Sequence, residues 1–130
     1  KILMVMRENE SGFLHQCTST DGGLTWSAPE MTAILGYPGH LLALPDGRIL
    51  CVYGYRFGPY AIRAVVSEDQ GRTWDVAGGF VVRGGLPNAD LGYPASLVLN
   101  GGGDQVWVFT VYYAQDDEDV TCIQATRYRL

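Results

Sequence analysis

The chain has 130 residues, enough for one domain with a core of its own. Its 14 acidic side chains outnumber 9 basic ones, and the net charge of −5 argues against nucleic acid as a partner. No apolar run approaches the roughly 20 residues that cross a bilayer, so no membrane partner is expected, and 17 glycines and 8 tyrosines among many Val and Leu favour strands over helices.

In chain order, Ile2 to Met6 reads as a strand already under way at the first residue. Arg7 follows in the polar loop Met6-Arg7-Glu8-Asn9-Glu10. Gly12 to Thr18 is the next strand. It runs into Ser19-Thr20-Asp21-Gly22-Gly23-Leu24-Thr25-Trp26. An Asp with Gly two residues on marks a tight hairpin, because the carboxylate accepts backbone N–H groups and Gly permits positive φ. The Ser and Thr hydroxyls are expected to satisfy further turn amides, and Trp26 to anchor the turn on the sheet.

The second stretch begins with Gly36-Tyr37-Pro38, a crossing into a short strand from His40 to Leu44. Pro45-Asp46-Gly47-Arg48 is a turn. Ile49 to Tyr55 is a strand, Arg56-Phe57-Gly58-Pro59 a loop, and Ala61 to Ser67 another strand. Then Ser67-Glu68-Asp69-Gln70-Gly71-Arg72-Thr73-Trp74 repeats the earlier octapeptide, and a fourth strand is expected from about Trp74 to Val82. The third stretch opens with Gly92-Tyr93-Pro94. Strands are expected from Ser96 to Leu99, Val106 to Tyr113 and Thr121 to Tyr128, the first two joined by a Gly101-Gly102-Gly103-Asp104 turn.

Both octapeptides read S-x-D-x-G-x-T-W and stand about one 50-residue repeat apart. The motif resembles the Asp-box of sialidases and related β-propellers. Ser19, Asp21, Gly23, Thr25 and Trp26, with Ser67, Asp69, Gly71, Thr73 and Trp74, are its structural residues. The resemblance implies an all-β fold of antiparallel four-stranded blades, those of a six-bladed sialidase-like propeller. About two to three blades are present: part of one in residues 1–35, a full one in 36–91 and part of another in 92–130. A closed ring takes at least about four blades, so the chain is expected to be a piece of a longer protein or to self-assemble through open blade edges.

A four-stranded meander sorts its loops by face. Both Asp-boxes and the Pro45–Arg48 and Gly101–Asp104 turns fall on one face, and are read as structural. Arg7 and Arg56 hold matching loop positions on the other face, and Tyr37 and Tyr93 sit in matching Gly-Tyr-Pro crossings. These four side chains are expected to converge at the mouth of the axis.

Sialidases hold the carboxylate of their sugar with three arginines, which bind it bidentately and stay charged. The resemblance implies that Arg7 is the second of these and Arg56 the third, with Phe57 where Asn is often found. Tyr93, in Gly92-Tyr93-Pro94-Ala95-Ser96-Leu97, matches the tyrosine nucleophile of the family, a phenol that needs a neighbouring base. Pro94 and one extra residue interrupt the family's Tyr-Ser-x-Leu spacing. The activating glutamate, the acid/base aspartate and the first arginine have no match here. The implied function is the C-terminal part of a retaining exo-glycosidase acting on a glycan or acidic sugar, most of the catalytic set lying outside this chain. The alternative is a non-catalytic glycan-binding or scaffold propeller. No cofactor and no metal site is implied.

Plainer readings stand beside these. Arg7 could pair with Glu8 or Glu10, Arg56 could stack on Tyr55 or Phe57, and Tyr93 could be a packing residue wedged by Pro94. His40 reads as structural and Asp90 as a turn former. The run Asp116-Asp117-Glu118-Asp119 reads as solvated, without EF-hand spacing. Cys17, Cys51 and Cys122 lack metal-ligand spacing and read as buried free thiols, which leans toward a reducing, cytoplasmic compartment.

Overall fold

A computed structural model describes residues 1–99 and 105–130. Ten strands form three antiparallel sheets, and no helix occurs among the described residues. The first sheet holds β1 (Ile2–Met6), β2 (Phe13–Ser19) and β3 (Glu30–Leu35) in that order. The second is a four-stranded meander of β4 (Gly39–Ala43), β5 (Ile49–Tyr55), β6 (Ala61–Ser67) and β7 (Phe80–Arg83). The third holds β8 (Leu91–Leu99), β9 (Trp107–Gln115) and β10 (Thr121–Arg129). Three sheets of this size are consistent with partial β-propeller blades, and the described strands close no barrel.

Two cores form where neighbouring sheets face each other. Leu14, Ile34, Cys51, Tyr53, Val65 and Trp74 fill the space between the first and second sheets. Leu50, Val52, Ile62, Leu91, Val108 and Tyr112 are central to that between the second and third. Alternation along β5 sends Cys51 and Tyr53 to one core and Leu50 and Val52 to the other. This strand is therefore apolar on both faces, and its registers with β4 and β6 run without a break.

The fourth strand of the middle sheet is shorter than the sequence suggests. It covers Phe80–Arg83 rather than a run from Trp74. Asp75 Oδ1 accepts from Gly78 N at 2.8 Å, and this side-chain turn takes residues 75–79 out of the ladder. The Gly101–Asp104 turn lies outside the described residues. Cys17 and Cys51 are buried free thiols, but Cys122 is only half-buried, because β10 is an edge strand. Burial pushes the Cys51 thiol up to about 12.

Both Asp-boxes are built alike. Gly23 N donates to Ser19 Oγ at 2.8 Å, and Gly71 N to Ser67 Oγ at 2.8 Å. Asp21 Oδ1 accepts from Thr25 N at 2.9 Å, and Asp69 Oδ1 from Thr73 N at 2.8 Å. The threonine hydroxyls do not serve turn amides; each donates to the second oxygen of its aspartate, at 2.6 and 2.7 Å. These donors hold the Asp69 carboxyl down at about 2, the Thr73 backbone N–H contributing most, and Asp21 is lowered in the same way by Thr25.

The two anchor tryptophans differ. Trp74 is 9% exposed and docks on the first sheet, where its Nε1 donates to Gln16 Oε1 at 2.9 Å. Gln16 Nε2 donates back to Gly71 O at 2.9 Å, so one amide clamps the whole second box to β2. Trp26 is 40% exposed and bonds only within its own turn, to Gly23 O. Its anchoring role is not realised among the described residues, because no neighbouring sheet packs on it as the first sheet packs on Trp74.

Candidate functional site

The strand registers carry the functional side chains to one end of the sheets. Ile2 pairs with Ser19 and Met6 with His15, so Arg7 leaves the end of β1 opposite the first Asp-box. Ile49 pairs with Ser67 and Tyr55 with Ala61, which puts Arg56 opposite the second box. Gly39 pairs with Tyr53 and Gly92 with Tyr113, so both Gly-Tyr-Pro segments lie at this end, Gly36-Tyr37-Pro38 as a crossing but Gly92-Tyr93-Pro94 inside β8, which starts at Leu91 rather than Ser96.

Three glycines let the backbones meet there. A Cβ on Gly36 would strike Gly54 O at 2.6 Å, and one on Gly54 would strike Tyr37 O at 2.8 Å. A Cβ on Gly92 would stand 3.2 Å from Arg56 Nη2. Gly36 and Gly92 also carry φ of 133° and 125°, a region closed to other residues. The close approach brings Tyr37 from the loop before β4, Arg56 from the loop after β5 and Tyr93 from β8 into one cluster.

Both arginines approach Tyr37. Arg7 Cζ stands 4.2 Å from its ring centroid and Arg56 Cζ 5.9 Å from it. Arg56 Cζ is also 5.9 Å from the Tyr93 ring. Phe57 closes one side, edge-on to Tyr37 and Tyr55 at 6.0 Å each. Tyr93 is 62% exposed and has φ of 49°. It sits in a β-bulge between Gly92 and Ala95, where Pro94, lacking an N–H, leaves the ladder. Its ring lies 5.8 Å from that of Tyr113. Among the described residues the Tyr93 hydroxyl makes no hydrogen bond.

The charges of this cluster are not neutralised internally. Arg48–Asp46 is the only salt bridge among the described residues, and it lies at the Asp-box end. Arg7 does not pair with Glu8 or Glu10; its Nε donates to Asn9 Oδ1 at 2.5 Å. Glu8 turns inward on its own loop, accepting from the Ser11 hydroxyl and from the Ser11 and Glu10 amides. These donors, the Ser11 hydroxyl first, lower its carboxyl to about 2. Arg56 does not stack on Tyr55, whose ring is taken by Arg63 at 5.1 Å. Arg56 Nη2 donates to Tyr113 Oη at 3.1 Å, and its Nε is buried without a partner. Desolvation raises the Tyr113 phenol, the Asp90 carboxylate raises it further, and Arg56 opposes both.

His40 Nε2 lies 3.3 Å from Ser96 O, tying β4 to β8. Asn88, rather than Asp90, forms the turn, accepting from Asp90 N at 2.8 Å. The Asp90 carboxylate is left to accept from Thr121 Oγ1 at 3.1 Å. Asp116 Oδ1 accepts from the amides of Glu118 and Val120, so the acidic run is a side-chain-closed turn. No cluster of three metal-ligating side chains occurs among the described residues. Sequence reading missed Tyr113. Its only signal was the aromatic pair Tyr112-Tyr113 near a strand end, and the partner that makes it informative is 57 positions away.

A family profile described as "BNR repeat-like domain" matches residues 1–107. A solved structure from Dyadobacter fermentans DSM 18053, described as a protein of unknown function, is 30% identical with a TM-score of 0.80. The alignment covers 98% of this chain and 34% of that one, so this chain spans about a third of its length. No curated protein matches the chain.

Proposed function

The chain belongs to the BNR repeat-like family, and from that premise we propose that its arginine–tyrosine hub binds the carboxylate of an acidic sugar, as part of a sialidase-like exo-glycosidase. One observation carries the reading. Arg7 and Arg56 approach the Tyr37 ring at 4.2 and 5.9 Å, and neither meets a carboxylate among the described residues of a chain whose net charge is −5. Two unneutralised guanidiniums near one aromatic ring suit a planar anion carried on a sugar ring. Glu8 and Asn9 keep the Arg7 loop in shape without taking up its charge.

In the hydrolytic reading Tyr93 is the nucleophile. Its phenol releases its proton as the oxygen bonds to the anomeric carbon and the bond to the leaving group breaks, and the departing oxygen takes up one proton in exchange, so the step is proton-neutral. Water then attacks the same carbon and returns the phenol, with net retention. A phenol suits an acidic sugar because a carboxylate nucleophile would be repelled by the substrate's own charge. Exposure of 62% and φ of 49° present the Tyr93 ring to ligand at a backbone cost.

A second reading, glycan binding without hydrolysis, is favoured by the Tyr93 hydroxyl having no hydrogen-bonded base among the described residues. The two are separated by assaying the intact protein on a fluorogenic sialoside and by measuring N-acetylneuraminic acid binding calorimetrically. Hydrolysis lost in Tyr93→Phe with binding kept supports the enzyme. Binding with no turnover in the unmodified protein supports the second reading. Absence of binding, or binding that survives both Arg7→Met and Arg56→Met, refutes the hub as a carboxylate site.

A further inference from the structure

Arg56 reaches its place through a single directed contact, and the group that makes it is itself held. Gly92 on β8 stands directly opposite Tyr113 on β9. Asp90 immediately precedes β8, and its carboxylate reaches across β9 to Thr121, which pairs with Gln115, two residues from Tyr113 and on the same face. Arg56 lies over Gly92, where a Cβ would crowd its Nη2. Asp90, Tyr113 and Arg56 thus share one side of the β8–β9 pair. Asp90 is fixed from behind by Thr121 Oγ1 at 3.1 Å and by its backbone N–H on Asn88 Oδ1 at 2.8 Å. Asn88 Nδ2 donates in turn to Gln115 Oε1.

We propose that Asp90 and Tyr113 are positioning residues that aim the Arg56 guanidinium at the ligand anion: Asp90 accepts from the Tyr113 hydroxyl, whose oxygen lone pair is thereby turned to accept from Arg56 Nη2. A lone phenol can rotate its O–H toward or away from a neighbouring cation. With Asp90 as acceptor the proton points away from Arg56, and the lone pair faces it. The guanidinium then cannot turn about its long side chain, and its free edge is presented without further loss of rotamer freedom on binding. The upward push of Asp90 on the phenol is consistent with a neutral, donating hydroxyl. The inference rests on the hub being an anion site, but the orientation of Arg56 is measurable without ligand.

The test uses Tyr113→Phe and Asp90→Asn, each close to isosteric, with side-chain NMR as the first arm. In the unmodified protein the Arg56 Nη signals should be separate, showing hindered rotation of the guanidinium, and they should merge in Tyr113→Phe. Asp90→Asn should lower the pH at which the Tyr113 phenol titrates, a readout that loss of a merely structural contact would not move in that direction. The second arm measures N-acetylneuraminic acid binding, where Tyr113→Phe should weaken affinity roughly tenfold, as expected for a hydrogen bond to a charged group. Unchanged Arg56 signals in Tyr113→Phe, or an unmoved Tyr113 titration in Asp90→Asn, overturns the relay while leaving the anion site standing. If the unmodified protein does not bind the acid, the anion reading falls and the NMR arm decides the relay alone.

Discussion

Replacing Gln16 by Leu should cost far more than a half-buried polar residue ordinarily would. The amide joins two sheets, accepting from Trp74 Nε1 and donating to Gly71 O, both at 2.9 Å. Leucine preserves the volume and the strand but supplies neither partner. The Trp74 indole N–H, on a side chain 9% exposed, and the carbonyl of buried Gly71 are then left without partners. An orphaned buried polar group costs about 1–3 kcal/mol, and partial water access at the edge of the sheets places the pair near the lower end, about 2–3 kcal/mol together. Urea unfolding followed by far-ultraviolet circular dichroism would measure it, with the midpoint falling and the slope unchanged. The pair should also be coupled. Trp74→Phe removes the donor that Gln16→Leu orphans, so the double variant should lose about 1 kcal/mol less than the two single losses combined. A Gln16→Leu loss below about 0.5 kcal/mol, or strict additivity, would refute the clamp.

Gly71→Ala should destabilise by about 2 kcal/mol or more, since φ is 82° and a Cβ would collide with Leu3 of the first sheet, whereas Gly47→Ala meets open space and bears only the backbone strain of its φ of 90°. Comparing the two unfolding midpoints checks this; equal losses would mean that the Leu3 contact does not matter. The Asp69 carboxyl titrates near 2 when folded, against an ordinary 3.8. Its contribution to stability should be complete above about pH 4 and drain away as the pH falls toward 2, a slope that Asp69→Asn removes; this is read from unfolding at stepped pH. In a native thiol-labelling time course Cys122 should react first and Cys51 only on unfolding, because Cys51 is buried with its thiol pushed up to about 12. Rapid Cys51 labelling under native conditions would contradict the packing between the first two sheets.

Much of the middle sheet was legible because its signals are local. Alternation and Gly-rich turns mark Ile49–Tyr55 and Ala61–Ser67 to the residue, and each Asp-box carries its own hydrogen-bond partners within eight positions. The fourth strand is shorter than its residue pattern suggests because Asp75 and Gly78 form a turn that a strand pattern hides. Trp26 and Trp74 are identical in motif, yet only Trp74 finds a glutamine on a neighbouring sheet.

What the chain determines by itself is its repeat: the octapeptide corners, the strand alternation and the matching slots that hold Arg7, Arg56, Tyr37 and Tyr93. Only the packed sheets decide which of these side chains meet, that Arg56 leans on Tyr113, and that the Asp90 carboxylate takes Thr121 on another strand while Asn88 closes the turn. The physical reason is range. Hairpin hydrogen bonds and alternation act over a few residues, whereas the hub depends on three glycines that let separate backbones approach, a contact whose partners are far apart in the chain and leave no local pattern.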